Sequence, residues 1–399
     1  MQLPAVQTKF LNLPNSFSLR NGATLDKVCV AYEQYGTLTP EKDNAILLFH
    51  ALSGSQHAYG YNPEVPGTGS LWKPENHEGW WNSIIGPGKP LDTDRFCIIC
   101  ANYLGGCYGT TGPATPCPAD GQPYGSRFPH VEIADQARLQ ALLLDSLGIE
   151  RVHLMGPSVG GLIALSFACQ FPERVRSFIS IGSGYRASIE HRLSLFEQIL
   201  AIELDPDFQG GDYYRGPAPK KGLAFARIIG HKSFVYQEGL EQRARKEVGG
   251  NYGLLTWMTP TRSTQSYMLH QGTKFAERFD ANSYIRIADM WAEFDIRDHT
   301  PDGTFQTALE GFPRLSFPLI QTAVSARRNS RISRRSLKPP IFPRSSIPSL
   351  PPRDTIPSCW SRSFMRNPSG AFWPQGSRRG RRKLFSAARR HGGAALKKK

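Results

Sequence analysis

Gly156-Pro157-Ser158-Val159-Gly160 is the stretch of this 399-residue chain whose residue types and spacing could do chemistry. A serine hydroxyl is a weak nucleophile until a base takes its proton, and a GxSxG turn is a local geometry that presents it to a substrate. The turn needs glycines because the backbone folds too sharply for a Cβ beside the serine. Where a helix follows, its first N–H groups point at whatever the serine attacks. The chemistry would be attack on an acyl carbon through an acyl-serine. GxSxG also arises by chance and as a structural turn, so its weight rests on what flanks it.

Residues 151–155, RVHLM, place apolar side chains at alternate positions and read as a strand. LIALSFACQF follows the turn and is apolar on most faces, as a buried helix would be, while Gly161 extends the patch of small residues. Strand, GxSxG, helix makes Ser158 the expected nucleophile. Residues 44–51, NAILLFHA, form a near-continuous apolar run that suits a strand buried on both faces. It ends in Leu52-Ser53-Gly54-Ser55, at the carboxyl edge where open α/β sheets place their sites. In hydrolase-type sheets this loop supplies one oxyanion N–H and the residue after the nucleophile supplies the other, so the backbones of Leu52 and Val159 are the candidates.

The remaining elements are arranged to hold that site. Two strand-like pieces, FLNLPNSFSL and KVCVAYEQYG, flank a hairpin signal at Arg20-Asn21-Gly22-Ala23. A long loop at 59–90 carries Trp72, Trp80 and Trp81, and a further strand is expected at 96–102. LGGCYGTTGP at 104–113 is a glycine-dense turn that could hold backbone near the site; it lacks the GK[ST] ending of a phosphate loop. Residues 133–147 have helical spacing with Gly148 as the cap, and 175–181 read as a buried strand. From about 187 to 298 the chain reads mostly as helix, either a lid over a substrate pocket or a purely structural subdomain. The expected layout is a core over 1–186, a helical lid over 187–298, a return to the core over 299–310 and a basic Ser/Pro/Arg-rich, disordered tail over 311–399.

Composition excludes several classes. No stretch approaches 18 uninterrupted apolar residues, so no membrane span is expected, and the first residues lack the pattern of a secretory signal. The seven cysteines are odd in number and scattered; Cys97 and Cys100 form CxxC inside FCIIC with no second pair at zinc-site spacing. Buried thiols in a reducing cytoplasm and no bound metal are the expectation. The net charge of +15 hides two compositions: residues 311–399 hold 21 of the 48 basic residues and one of the 33 acidic ones, leaving 27 against 32 over 1–310.

Several strings in order resemble the homoserine O-acetyltransferase family: HALSGS (50–55), GWWNSIIGPGKPLDTDRFCIICANYLGGCYGTTGP (79–113), DGQPYGSRFP (120–129), the serine turn, GGDYY (210–214), GLAFARIIGH (222–231) and QGTKFAERFDANSY (271–284). The resemblance covers roughly residues 10 to 298. It implies an α/β-hydrolase fold, a mostly parallel sheet with helices on both faces and an inserted lid. It further implies ping-pong transfer from acetyl-CoA to L-homoserine for methionine synthesis, with no bound cofactor, a homodimer and a cytoplasmic location. Ser158 would carry the acyl group, Leu52 and Val159 would bind the oxyanion, and Arg227 would meet the homoserine carboxylate, a pairing suited to a guanidinium. Two departures are GPSVGG where the family more often has GGSMGG, and Phe234 where a tyrosine is expected. Relatives use succinyl groups or accept serine, and a plain esterase of the same fold is a further alternative.

The family's catalytic aspartate and its Gly-His-Asp histidine are missing. Beyond residue 310 the chain has one aspartate, Asp354, one histidine, His391, 14 serines and 11 prolines. A basic tail for RNA or membranes and a divergent non-catalytic relative are two accounts of this; nucleic acid is not the partner the core suggests. The leading account is a shifted reading frame near codon 311. Read two bases later, allowed codons for the stretch 353–361, RDTIPSCWS, include Gly-His-Asp-Ser-Phe-Leu-Leu-Glu, and those for 332–336, ISRRS, admit Phe-Pro-Pro-Glu. Without that region the base would have to come from elsewhere, His57 or His231 being candidates.

Overall fold

A computed structural model of the chain describes residues 3–235, 237–244, 250, 252–300 and 303. Ten strands are present among the described residues: β1 Lys9–Asn12, β2 Phe17–Ser18, β3 Thr24–Leu25, β4 Cys29–Tyr35, β5 Ala45–Leu48, β6 Ile85–Gly86, β7 Leu91–Asp92, β8 Cys97–Ala101, β9 Val152–Pro157 and β10 Val175–Ile181. Six of them make the central sheet in the order β1-β4-β8-β5-β9-β10. β8, β5, β9 and β10 run parallel, and β4 and β1 are added antiparallel at one edge.

Every residue of β5 and β8 is buried, as their unbroken apolar runs require of strands covered on both faces. The CxxC cysteines lie in β8 as free, buried thiols. One face of the sheet carries the large core that includes Leu47, Phe49, Ile99 and Leu154; the other carries Ile46, Leu48, Ile98, Trp81 and Ile85. Truncating one of these, such as Leu47→Ala, would cost about 2–5 kcal/mol.

FLNLPNSFSL does not form one strand. Its first part is β1, paired with β4, and its second is β2, which turns back on β3 across the Arg20-Asn21-Gly22-Ala23 hairpin. Leu13 still donates its N–H to the Val28 carbonyl at 2.8 Å, but Pro14 has no N–H with which to continue the ladder. Helix α1 spans Ile133–Ser146, and Gly148 follows with φ +65, the left-handed conformation of a helix stop.

The helical region consists of α3 Ile189–Glu203, α4 Lys220–Phe234, α5 Gln237–Ala244, α6 Ser263–Ala276 and α7 Ala281–Ala292, with α2, Val159–Gln170, in the core before them. Glycines let α4 close on its neighbours: a Cβ at Gly222 would stand 2.6 Å from the Ala201 carbonyl of α3, and one at Gly272 of α6 would stand 2.7 Å from that of Ala224. GGDYY and the start of α7 are joined through Asp280, which caps α7 by accepting from the Ser283 N–H (2.8 Å) and accepts the hydroxyls of Tyr213 (2.6 Å) and Tyr214 (3.1 Å). The chain regains the core by a bridge between Arg186 and Asp295. His299 then meets the Ser166 hydroxyl of α2 at 2.7 Å.

Among the described strands β10 pairs with β9 alone. Ile179 of β10 is 40% exposed, and α3 turns Ile189, Leu193, Phe196 and Leu200 outward along one stripe. Among the described residues no helix is long and apolar enough to cross a membrane, and no group of three or more His, Cys, Asp or Glu is placed to hold a metal ion.

Candidate active site

Ser158 sits between the end of β9 and the start of α2 with φ 54 and ψ −128. A non-glycine residue in that conformation carries roughly 1–3 kcal/mol of strain, which the surroundings must hold in place. They do so from both sides: the Ser158 N–H donates to the Ile181 carbonyl at 2.9 Å, and the Ser183 hydroxyl donates to the Ser158 carbonyl at 2.5 Å. The flanking glycines are needed sterically. A Cβ at Gly156 would run into the Gly160 carbonyl, and one at Gly161 into the hydroxyls of Ser183 and Ser180.

Gly160 ties the turn to the β5 loop, because a Cβ there would lie 2.7 Å from the His50 carbonyl and 2.8 Å from that of Phe49. The HALSGS loop therefore runs against the first turn of α2. Its backbone is fastened carbonyl by carbonyl. His50 O accepts the Tyr103 hydroxyl (2.5 Å), and Ala51 O accepts the Gly54 N–H (2.9 Å) and His50 Nδ1 (2.7 Å). Ser55 O accepts the Trp80 indole (2.9 Å) and Gln56 O the Tyr35 hydroxyl (2.7 Å). The Leu52 N–H donates to nothing among the described residues. Val159 is the first residue of α2, where an N–H has no acceptor within its helix. The two expected donors thus lie on neighbouring segments with their N–H groups uncommitted.

Arg227 lies on α4 and reaches the same loop, its Nη1 donating to Ser53 Oγ at 3.4 Å. Its guanidinium is held over the rings of Phe234 (4.8 Å) and Phe275 (4.7 Å). Phe234 thus offers a ring face where a tyrosine was expected. No carboxylate pairs with Arg227 among the described residues, and burial pulls its pKa down to about 10. A desolvated cation without a counter-ion is suited to an incoming anion.

Sequence reasoning missed a second arginine. Arg278, just beyond α6, donates Nη1 to the Ser53 carbonyl (3.3 Å) and to the Tyr108 hydroxyl (3.0 Å), while its Nε pairs with Glu75 at 2.9 Å. The available signal was its place in the string QGTKFAERFDANSY, and Tyr108 likewise belongs to the glycine-dense turn.

No histidine among the described residues hydrogen-bonds the Ser158 hydroxyl. His57 is closed off: Nδ1 meets Glu33 at 2.7 Å and Nε2 the His77 carbonyl at 3.0 Å, with both side chains of the pair fully buried. Burial alone would raise the Glu33 carboxyl, but His57, Asn62 and Tyr35 together hold it below its usual range. His57 is therefore a structural partner and not a base for Ser158. His231, on α4, packs against Phe234 (4.9 Å) and Tyr267 (5.8 Å). His50 is stacked on Tyr103, and burial depresses it to about 4. Residues 304–399, where the aspartate and histidine would be expected, lie outside the described residues.

Comparison with known proteins follows the same lines. The sequence model of the alpha/beta hydrolase fold matches residues 44–249. The chain is 41% identical over 298 residues to the homoserine O-acetyltransferase of Deferribacter desulfuricans, covering 73% of this chain and 75% of that one. It belongs to the homoserine O-acetyltransferase family. A homoserine O-succinyltransferase of Magnetococcus marinus is 38% identical, with 83% of this chain and 85% of that one covered. Among solved structures, the homoserine O-acetyltransferase of Bacillus anthracis superposes with a TM-score of 0.66 at 29% identity, covering 78% of this chain and 81% of that one.

Proposed function

We propose that this chain carries the site of an acyltransferase that moves an acetyl group from acetyl-CoA to the hydroxyl of L-homoserine, a step of methionine synthesis. The observation that carries the proposal is the convergence on one loop of the strained Ser158 turn and the counter-ion-free guanidinium of Arg227. In the first half-reaction Ser158 Oγ attacks the thioester carbon, the carbonyl oxygen takes the negative charge against the Leu52 and Val159 N–H groups, and CoA leaves as a thiol with the serine proton. In the second, the homoserine hydroxyl attacks the acyl-serine carbon and the proton returns to Ser158. Arg227 pairs with the homoserine carboxylate and so aims the hydroxyl. Because a relative of similar identity is a succinyltransferase, succinyl-CoA is the second donor to test.

Residues 1–186 serve as the core and 187–298 as the lid, while the return expected over 299–310 falls mostly outside the described residues; the exposed apolar stripe of α3 supports self-association as a homodimer. We place the protein in the cytoplasm, where both substrates and reduced thiols belong. Both half-reactions need a base, and residues 311–399 supply no Gly-His-Asp string. A one-base shift near codon 311 accounts for its loss and for the change in composition. The test is CoA release from acetyl-CoA and succinyl-CoA, with and without L-homoserine, by the chain as written and with its frame restored. Homoserine-dependent release by the restored chain alone is expected. Its absence there sinks the acyltransferase proposal, and full activity of the chain as written sinks the frame shift.

A further inference from the structure

Two lid arginines converge on Ser53, and they differ in what else they hold. Arg227 donates to the Ser53 hydroxyl and pairs with no carboxylate among the described residues. Arg278 donates to the Ser53 carbonyl and is oriented on all sides. Its Nε pairs with Glu75 at 2.9 Å, its Nη1 also reaches the Tyr108 hydroxyl, and that hydroxyl donates to the Arg278 carbonyl at 2.5 Å. Glu75 is fixed in turn by Lys274 at 2.8 Å. Both guanidiniums lie over the ring of Phe275, at 4.7 Å for Arg227 and 5.1 Å for Arg278.

Ser53 stands in a tight turn closed by the Gly54 N–H on the Ala51 carbonyl, at 2.9 Å. The peptide group between residues 53 and 54 is therefore held at both ends, its oxygen by Arg278 and its N–H by Ala51. The Ala51 oxygen, held as well by His50 Nδ1, belongs to the peptide whose N–H is that of Leu52. A peptide group is planar, so fixing its oxygen fixes the direction of its hydrogen. The chain of constraint runs from Glu75 through Arg278 to Ser53, then through Gly54 and Ala51 to the Leu52 N–H.

We propose that Arg278 is a positioning residue for the oxyanion loop: it anchors the Ser53 carbonyl from the lid and so holds the Leu52 N–H where the tetrahedral oxygen forms. The proposal rests on Ser158 as nucleophile and Leu52 as donor. It separates the two arginines by task. Arg227 acts on acceptors that carry a carboxylate, whereas Arg278 acts on every acyl group, because each passes through the same oxyanion. Displacing a preorganised donor by a fraction of an ångström lowers the rate without changing ground-state binding.

The test uses the frame-restored chain with p-nitrophenyl acetate as acyl donor. Acylation is followed as nitrophenolate release and located on Ser158 by mass spectrometry. Arg278→Met should lower the limiting acylation rate on the order of 10- to 100-fold, with the half-saturating ester concentration changed less than about twofold. Arg278→Lys should recover part of the loss, and Glu75→Gln should show a smaller loss of the same kind. The proposal is overturned if Arg278→Met acylates at the parent rate, or if the rate lost in Arg278→Met and Glu75→Gln merely tracks the fraction unfolded by circular dichroism. Because the ester carries no carboxylate and needs no homoserine, failure of acyl transfer to homoserine would sink the acyltransferase proposal while leaving this one standing.

Discussion

Gly160 lies against the His50 carbonyl so closely that a Cβ built on it would stand 2.7 Å from that oxygen. The HALSGS loop and the Ser158 turn are therefore set by backbone contact, which no side-chain repacking can restore. Gly160→Ala must push β5's loop away from α2. In the frame-restored chain it should lower the rate of acyl transfer about 100-fold or more, the scale of a lost oxyanion donor. Steady-state CoA release checks this, and a rate within tenfold of the parent would mean that the two segments do not cooperate.

Arg227→Met should act quite differently. It removes the charge but keeps much of the apolar stem between Phe234 and Phe275. We expect the KM for L-homoserine to rise about 10- to 100-fold, the scale of a hydrogen-bonded charge contact, with the KM for acetyl-CoA little changed. A loss confined to the acyl-CoA half-reaction would place Arg227 against the wrong substrate.

Much of this site was legible because its signals are local. The Ser158 turn, its strand and its helix are contiguous, and β5 announces itself by an apolar run that only a strand covered on both faces would carry. What escaped depends on partners far apart in the chain. Arg278 and Ser53 are 225 positions apart, and Glu33 and His57 are 24 apart on different segments. No periodicity encodes such pairs, and both arginines look alike in the sequence as charged residues of helical segments. The splitting of FLNLPNSFSL was readable in principle, since Pro14 cannot donate to a ladder, but its alternation of apolar residues outweighed that single breaker.

The Glu33–His57 pair carries its own prediction. Both side chains are fully buried, and Glu33 also takes hydrogen bonds from Thr8, Tyr35 and Asn62. Breaking a buried pair leaves its partner without compensation, at a cost of about 3–5 kcal/mol. Glu33→Gln and His57→Gln should each lower the unfolding free energy obtained from urea titration by an amount of that order. The double substitution should cost less than the two added together, and strict additivity would show that the two side chains do not interact.

Two buried histidines set an acid limb on stability. His50 is depressed to about 4 by burial, and so is His299, where burial leads and the charge of Arg20 assists, with Asp298 and Asp295 acting in the opposite sense. Their folded values lie below the ordinary 6.5, so the unfolded chain binds more protons between the two. Stability is then fully present above about pH 6.5 and falls as pH drops towards 4. By linkage each histidine should remove about 2 kcal/mol between pH 7 and pH 5. Urea midpoints over that range check this, and His299→Asn should flatten the limb by about half. A midpoint unchanged between pH 7 and 5 in the parent would show that these rings titrate normally in the fold.

The last prediction concerns the carboxyl-terminal change. β10 pairs on one side only among the described strands, and its Ile179 is exposed. A bare parallel edge next to exposed apolar side chains invites pairing between chains. Residues 311–399 carry 21 basic residues and no family histidine string, so their sequence offers neither the base nor an apolar run suited to a buried strand. The chain as written should therefore sediment as aggregates and release CoA at a small residue of the restored rate, because triad members act as a unit. Inserting the missing base near codon 311 should recover solubility and homoserine-dependent turnover together. Recovery of solubility without turnover would mean that the restored region completes the sheet without supplying the base. A soluble, fully active chain as written would require a base other than the family's Gly-His-Asp histidine, and His57 is already committed to Glu33.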